Sequence, residues 1–79
     1  MDNKYRKWLL TLRADEPIAM WLALRELAAA AADRNPSFGE RKLARQFRER
    51  LLFHLRLPPT ASDTDIDDAI RGLFVPLGE

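Results

Sequence analysis

The 79-residue chain predicts an all-α fold, one domain over residues 1–79 built as a small bundle of about four helices. Three observations carry that prediction. Apolar residues recur at three- and four-residue spacings along most of the chain, no stretch alternates as a strand does, and the prolines cluster between the periodic segments. A hydrophobic fraction of 47% with a charged fraction of 32% describes a chain that folds. At this length one core only just offsets chain entropy, so help from a partner or from self-association is an expectation of size alone.

Asp2 or Asn3 caps the first helix, in which Tyr5, Trp8, Leu9 and Leu12 recur on one stripe and leave Lys4, Arg6 and Lys7 outside it. The stretch "ADEP", Ala14 to Pro17, breaks it. Asp15 is the expected N-cap of the second helix, and Pro17 suits the first turn, where its missing N–H costs nothing. That helix spans about Glu16 to Arg34 and stops at "NPS", because the residue before a proline disfavours helical dihedrals.

Between Ile18 and Ala32 only Arg25 and Glu26 are charged. Met20, Leu24, Leu27 and Ala31 make one apolar face of the second helix, and Ile18, Leu22 and Ala29 make another. A helix apolar almost all round is either central to a core or shared with another chain. Two expectations follow: a homodimer through Met20, Trp21, Leu24 and Leu27, or a compact monomer with this helix in the middle. The alanines from Ala28 to Ala32 favour helix and let a neighbour approach closely.

Ser37 with Glu40 three residues later is a capping-box spacing, and it opens a third helix that "LPPTAS" ends after Leu57. Wound at about 100° per residue, Leu43, Ala44, Phe47, Leu51 and Leu55 form an inner face. Arg41, Arg45, Arg48, Leu52 and Arg56 line up on the other side, flanked by Lys42 and Arg50. Phe53 falls on yet another side, exposed unless the fourth helix or the "LFVPL" tail covers it. His54 falls beside Leu43 and Phe47, near the core face, where a lone histidine is a structural side chain rather than a catalyst.

Ser62 with Asp65 repeats the capping signal and opens a short fourth helix with Ile66, Ala69, Ile70 and Leu73 on its apolar side. Gly72 and the "VPLGE" that follows predict fraying into an apolar tail.

Chemistry is mostly excluded. With no cysteine there is no disulfide framework, thiolate metal site or cysteine nucleophile. One histidine leaves no zinc ligand set, and both serines have capping duties, so no catalytic triad assembles. "DTDIDD", Asp63 to Asp68, opens like a calcium loop, yet Asp68 stands where the turn needs glycine and Phe74 where the loop needs a bidentate glutamate. These carboxylates suit a helix N-terminus instead. Gly39, Gly72 and Gly78 are isolated, so no phosphate loop is present. A protein without enzymatic activity, cofactor or metal is expected. No signal-peptide core follows "MDNKYRKWLL", and the longest apolar run is too short and interrupted to span a membrane, so a cytoplasmic location is expected. Arginine- and alanine-rich usage suggests a bacterial or phage source.

The net charge of +1 hides a block pattern. Residues 1–14 carry four basic and one acidic side chain, residues 38–57 six and two, and residues 58–79 one and five. The arginine row of the third helix therefore has three readings. It is a solvated face partly answered by the acidic fourth helix, in pairs that each add little stability. Or it neutralises nucleic-acid phosphates, although the connection from Leu57 to Ser62 is too long and Pro-rich for a helix-turn-helix and no aromatics interleave with the basic residues. Or it frames a protein interface, with Leu52 and Phe53 as apolar centre and arginines as rim. The third reading is preferred. The expected function is a small adaptor, inhibitor or regulator that docks a partner with an acidic or mixed surface through Arg41, Arg45, Arg48, Leu52, Phe53 and Arg56. The alternative is a nucleic-acid-binding regulator using the same arginines and the basic first helix.

Overall fold

The computed structural model describes residues 3–74, which form four helices and no strand: α1 (Asn3–Ala14), α2 (Pro17–Asp33), α3 (Phe38–Leu55) and α4 (Asp63–Phe74). The all-α, four-helix expectation holds. The apolar tail expected from Val75 onward, and Asp2 as a cap, lie outside the described residues.

Each boundary has a local cause. At the end of α1, Asp15 adopts a left-handed backbone, φ 58°, and its N–H reaches back to the Thr11 and Leu12 carbonyls, both at 3.2 Å. Aspartate tolerates that conformation better than most residues. The next residue, Glu16, rather than Asp15, caps α2: its carboxylate accepts from the Ala19 N–H at 3.1 Å. Expecting Asp15 there overlooked that a residue closing one helix in the left-handed region cannot also take the extended geometry of an N-cap.

Ser37 and Glu40 form the capping box in full, Ser37 Oγ accepting from Glu40 N–H at 3.1 Å and Glu40 Oε1 from Ser37 N–H at 2.9 Å. Ser62 and Asp65 repeat it at the start of α4, with distances of 3.1 and 3.0 Å. At the other end of α3, Arg56 takes φ 57°, its N–H bonding the Phe53 carbonyl at 3.2 Å while Leu57 N–H bonds the Leu52 carbonyl at 2.9 Å. That pair of bonds is a Schellman motif with arginine where glycine is usual. It ends α3 at Leu55, two residues before the expected Leu57.

The core gathers Trp8 from α1, Met20, Ala23 and Leu27 from α2, Leu43, Phe47, Leu51 and Leu52 from α3, and Ile66 and Ile70 from α4, with Ala61 from the connection. The helix in the middle is α3, which packs broadly against all three others, and not α2. The outer side of α2 stays open, with Leu22 52% exposed and Ala29 on the surface, and Ala28, Ala31 and Ala32 elsewhere on the helix are exposed as well. Leu9 and Leu73, expected on apolar stripes, are exposed as well. α1 comes close to α3 at Gly39, where a Cβ would sit 3.0 Å from the Tyr5 hydroxyl at the tip of its side chain.

Polar links fasten the helices. The Trp8 indole N–H donates to Glu26 at 2.9 Å, and the Trp21 indole N–H to Asp67 at 2.6 Å. Among the described residues no buried side-chain N or O lacks a hydrogen-bond partner, as a well-specified small core requires.

Candidate interaction surface

The outer face of α3 comes from helical arithmetic. Phe38, Lys42, Arg45, Glu49 and Phe53 follow one another at spacings of four, three, four and four, which puts them on one stripe, and all five are exposed. The inner stripe of Leu43, Phe47 and Leu51 is buried, so the outer stripe points away from the protein. Phe53 is 81% exposed and Phe38 74%. At 1.5 Å rise per residue these two rings begin roughly 22 Å apart along the helix, with a mixed charged band between them. Shallow clefts flank Phe53, one shared with Leu52, Arg56 and Leu57 and the other with Gln46, Glu49 and Arg50.

The arginine row divides. Arg41 and Arg45 are exposed and make no ion pair among the described residues. Arg48 is half-buried and turned to structure: its guanidinium pairs with Asp63 and donates to the Ala61 carbonyl, clamping the Pro-rich connection onto α3. Arg50, on the flank, pairs with Asp15 at 3.0 Å. Arg56 is exposed but sits in the turn that closes the helix.

Leu52 is not an exposed leucine among arginines. It is 9% exposed and belongs to the core, and once the chain has reversed at Arg56, Leu57 packs against that core as well. A hydrophobic contact between those two positions commonly accompanies this helix ending. Of the residues expected for docking, the structure thus brings Arg41, Arg45, Phe53 and Arg56 to the surface and draws Arg48 and Leu52 inward. Phe38 belongs to the surface and was missed, although its spacing from Lys42, Arg45, Glu49 and Phe53 carried the signal.

The residues expected at a dimer contact divide in the same way. Met20 and Leu27 are buried within the chain, as a helix facing its own core requires. Trp21 and Leu24 are half-buried and form part of a groove.

His54, expected near the core face, lies on the flank of α3, and its Nε2 stands 3.1 Å from an Asp15 carboxylate oxygen. Hydrogen bonds first from His54 and then from Arg50 lower the Asp15 pKa. At the start of α3, Glu40 is held down to about 2, first by the Arg34 guanidinium, which grips both its oxygens at 3.0 and 2.7 Å, and then by the Ser37 N–H. Both groups have structural partners that account for their shifts. Among the described residues no three His, Asp or Glu side chains converge as a metal site, and no helix is long and apolar enough to cross a membrane.

Compared with known proteins, the chain matches no family, no curated protein and no solved structure.

Proposed function

We propose that this chain is a small non-enzymatic interaction module, an adaptor, inhibitor or regulator, that docks a partner protein through the outer face of α3. The observation that carries the reading is Phe53, a large aromatic ring 81% exposed on α3, next to Arg56 and on one stripe with Arg45, neither of which has an ion pair among the described residues. Aromatic and arginine side chains dominate the energetics of protein interfaces, and a ring this exposed has contact area to give when a partner covers it. Phe38 supplies a second anchor, and Arg41, Lys42, Arg45 and Arg56 favour an acidic or mixed surface opposite. A cytoplasmic setting is part of the proposal.

The double variant Phe53→Ala with Arg45→Glu tests it, since neither side chain holds the fold. Tagged wild-type and variant proteins are used to capture partners, and a captured protein is then purified and titrated directly. Binding is expected to the wild type and to be lost in the variant, with unchanged helicity by circular dichroism. Equal binding by both overturns the assignment. Fluorescence anisotropy of duplex DNA and single-stranded RNA across a salt series is the companion measurement. Binding that weakens linearly in log salt would give the face to phosphates instead.

A further inference from the structure

One side of the α2/α3 hairpin is covered unevenly. The four-residue connection Arg34 to Ser37 makes the two helices antiparallel neighbours. The chain's own α4 lies against them at the level of Trp21, Arg25 and Arg48, and its manner of seating is chemically specific. Ile66 and Ile70 go into the core, Asp63 pairs with Arg48, and Asp67 takes the Trp21 indole N–H at 2.6 Å and faces Arg25 at 3.7 Å. Arg25 in turn stacks over the Trp21 ring, 5.1 Å from its centroid. The hairpin thus receives an acidic amphipathic helix: apolar residues inward, aspartates on the arginines that edge the seat.

Beside the first turns of α4 the seat is open among the described residues. A groove of about 610 Å³ lies there, its apolar lining supplied by Trp21, Leu24 and Ala28 of α2, Ala44 of α3 and Ile66 of α4. Residues 21, 24 and 28 lie on one stripe of α2 and span two helical turns, about 10 Å, the length over which a docked helix presents anchors at i, i+4 and i+7. Ala28 and Ala44 are small enough to let a helix backbone come close. The charges around the groove are not equivalent. Arg25, Arg48, Asp63 and Asp67 are paired among themselves, and Arg45 alone has no ion pair among the described residues.

We propose that this groove binds an acidic amphipathic helix of a partner protein, its apolar residues on Leu24, Ala28 and Ala44 and its carboxylate on Arg45, in the manner in which α4 itself is seated. The inference rests on the docking reading above and adds to it a second contact region and the chemistry of the segment that fills it. Charge complementarity chooses the occupant: the open position is cationic at Arg45, and the basic α1 of a second copy would meet like charge there.

The probe is a labelled helical peptide with leucines at i, i+4 and i+7 flanked by glutamates, with a lysine-for-glutamate version as control. It is titrated into the full ¹⁵N-labelled chain. Saturable shifts at the Trp21 indole N–H and at the amides of Leu24, Ala28, Ala44 and Arg45 are expected, with no binding of the control. Arg45→Glu should weaken the peptide at least about tenfold, and Ala28→Glu, at an exposed helical site, should abolish binding while leaving circular dichroism unchanged. Phe53→Ala should leave it unchanged. Absence of shifts, shifts confined to the Phe53 face, or equal binding of the control overturns the groove assignment. Concentration-dependent broadening at these residues without peptide assigns the groove to a second copy and overturns it too. If partner capture remains sensitive to Phe53→Ala while the peptide fails, the docking module stands and only the groove is lost. Peptide binding together with capture indifferent to Phe53→Ala would place recognition in the groove alone.

Discussion

His54 Nε2 lies 3.1 Å from Oδ1 of Asp15, across 39 residues of sequence, and Arg50 reaches the same oxygen at 3.0 Å. This contact ties the corner between α1 and α2 to the C-terminal half of α3. Asp15 therefore has two jobs, ending α1 in a left-handed turn and accepting hydrogen bonds from the central helix.

The sign of its pH dependence follows from the lowered pKa. A carboxylate whose folded pKa is depressed adds stability that is complete above its ordinary value of 3.8 and is lost as pH falls through the lower folded value. Asp15→Asn keeps a residue that tolerates φ 58° and removes the charge. In urea melts the wild type should be the more stable protein at neutral pH, and the difference should shrink steadily below the ordinary carboxylate range. A difference that persists unchanged in acid would mean that the turn, not the charge, is what Asp15 contributes.

The first turn of α3 is governed by Glu40, whose pKa drops from 4.5 to about 2. The same sign applies, so the stabilisation is whole above 4.5 and fades as pH falls toward 2. Glu40→Gln should leave the protein weaker at neutral pH and flatten its acid limb. Ser37→Ala removes the other half of the box and should cost about 1 kcal/mol, lowering Tm by about 4–8 °C in a domain of this size. Calorimetry of the two variants across pH separates charge from cap.

Arg56 holds φ 57° at the close of α3, a conformation that strains any residue with a Cβ. Arg56→Gly should stabilise the fold by about 1 kcal/mol, read as a rise in the urea midpoint without a change of slope. If Arg56 also meets a partner, the same variant should bind it more weakly, a trade of affinity against stability visible in one protein.

Leu52 and Phe53 are neighbours in sequence with opposite environments, 9% and 81% exposed. Leu52→Ala should cost about 2–5 kcal/mol, whereas Phe53→Ala should stay within about 0.5 kcal/mol of the wild type. Denaturant melts of the pair check the division of α3 into packed and free faces. Comparable losses would mean that Phe53 is covered.

Local grammar in the sequence reached far. Both capping boxes, the stop before Pro36 and the inner stripe of Leu43, Phe47 and Leu51 depend on residues within a turn of one another, so periodicity and cap chemistry locate them. What escaped depends on contacts between distant segments. Leu52 is buried in a core shared with segments beyond the reversal at Arg56, the turn of Arg48 toward Asp63 needs α4 in place, and the pairing of His54 needs the corner at Asp15. A helical wheel treats a helix as uniformly wrapped along its length, and α3 is wrapped differently at its two ends. Similarly, α2 is the more apolar helix, yet α3 is the one that packs against all three others while keeping one stripe open, an arrangement that hydrophobicity alone does not predict.

That arrangement has a consequence for how such a protein can change. One helix supplies the common packing surface for the other three while its opposite stripe, from Phe38 to Phe53, holds none of them in place. Packing and open surface are written on interleaved letters of the same eighteen-residue word, and under the docking function proposed above the outward letters can be respelled without disturbing the inward ones. A new target could be selected at Lys42, Arg45, Glu49 and Phe53 in a chain that melts where its parent does.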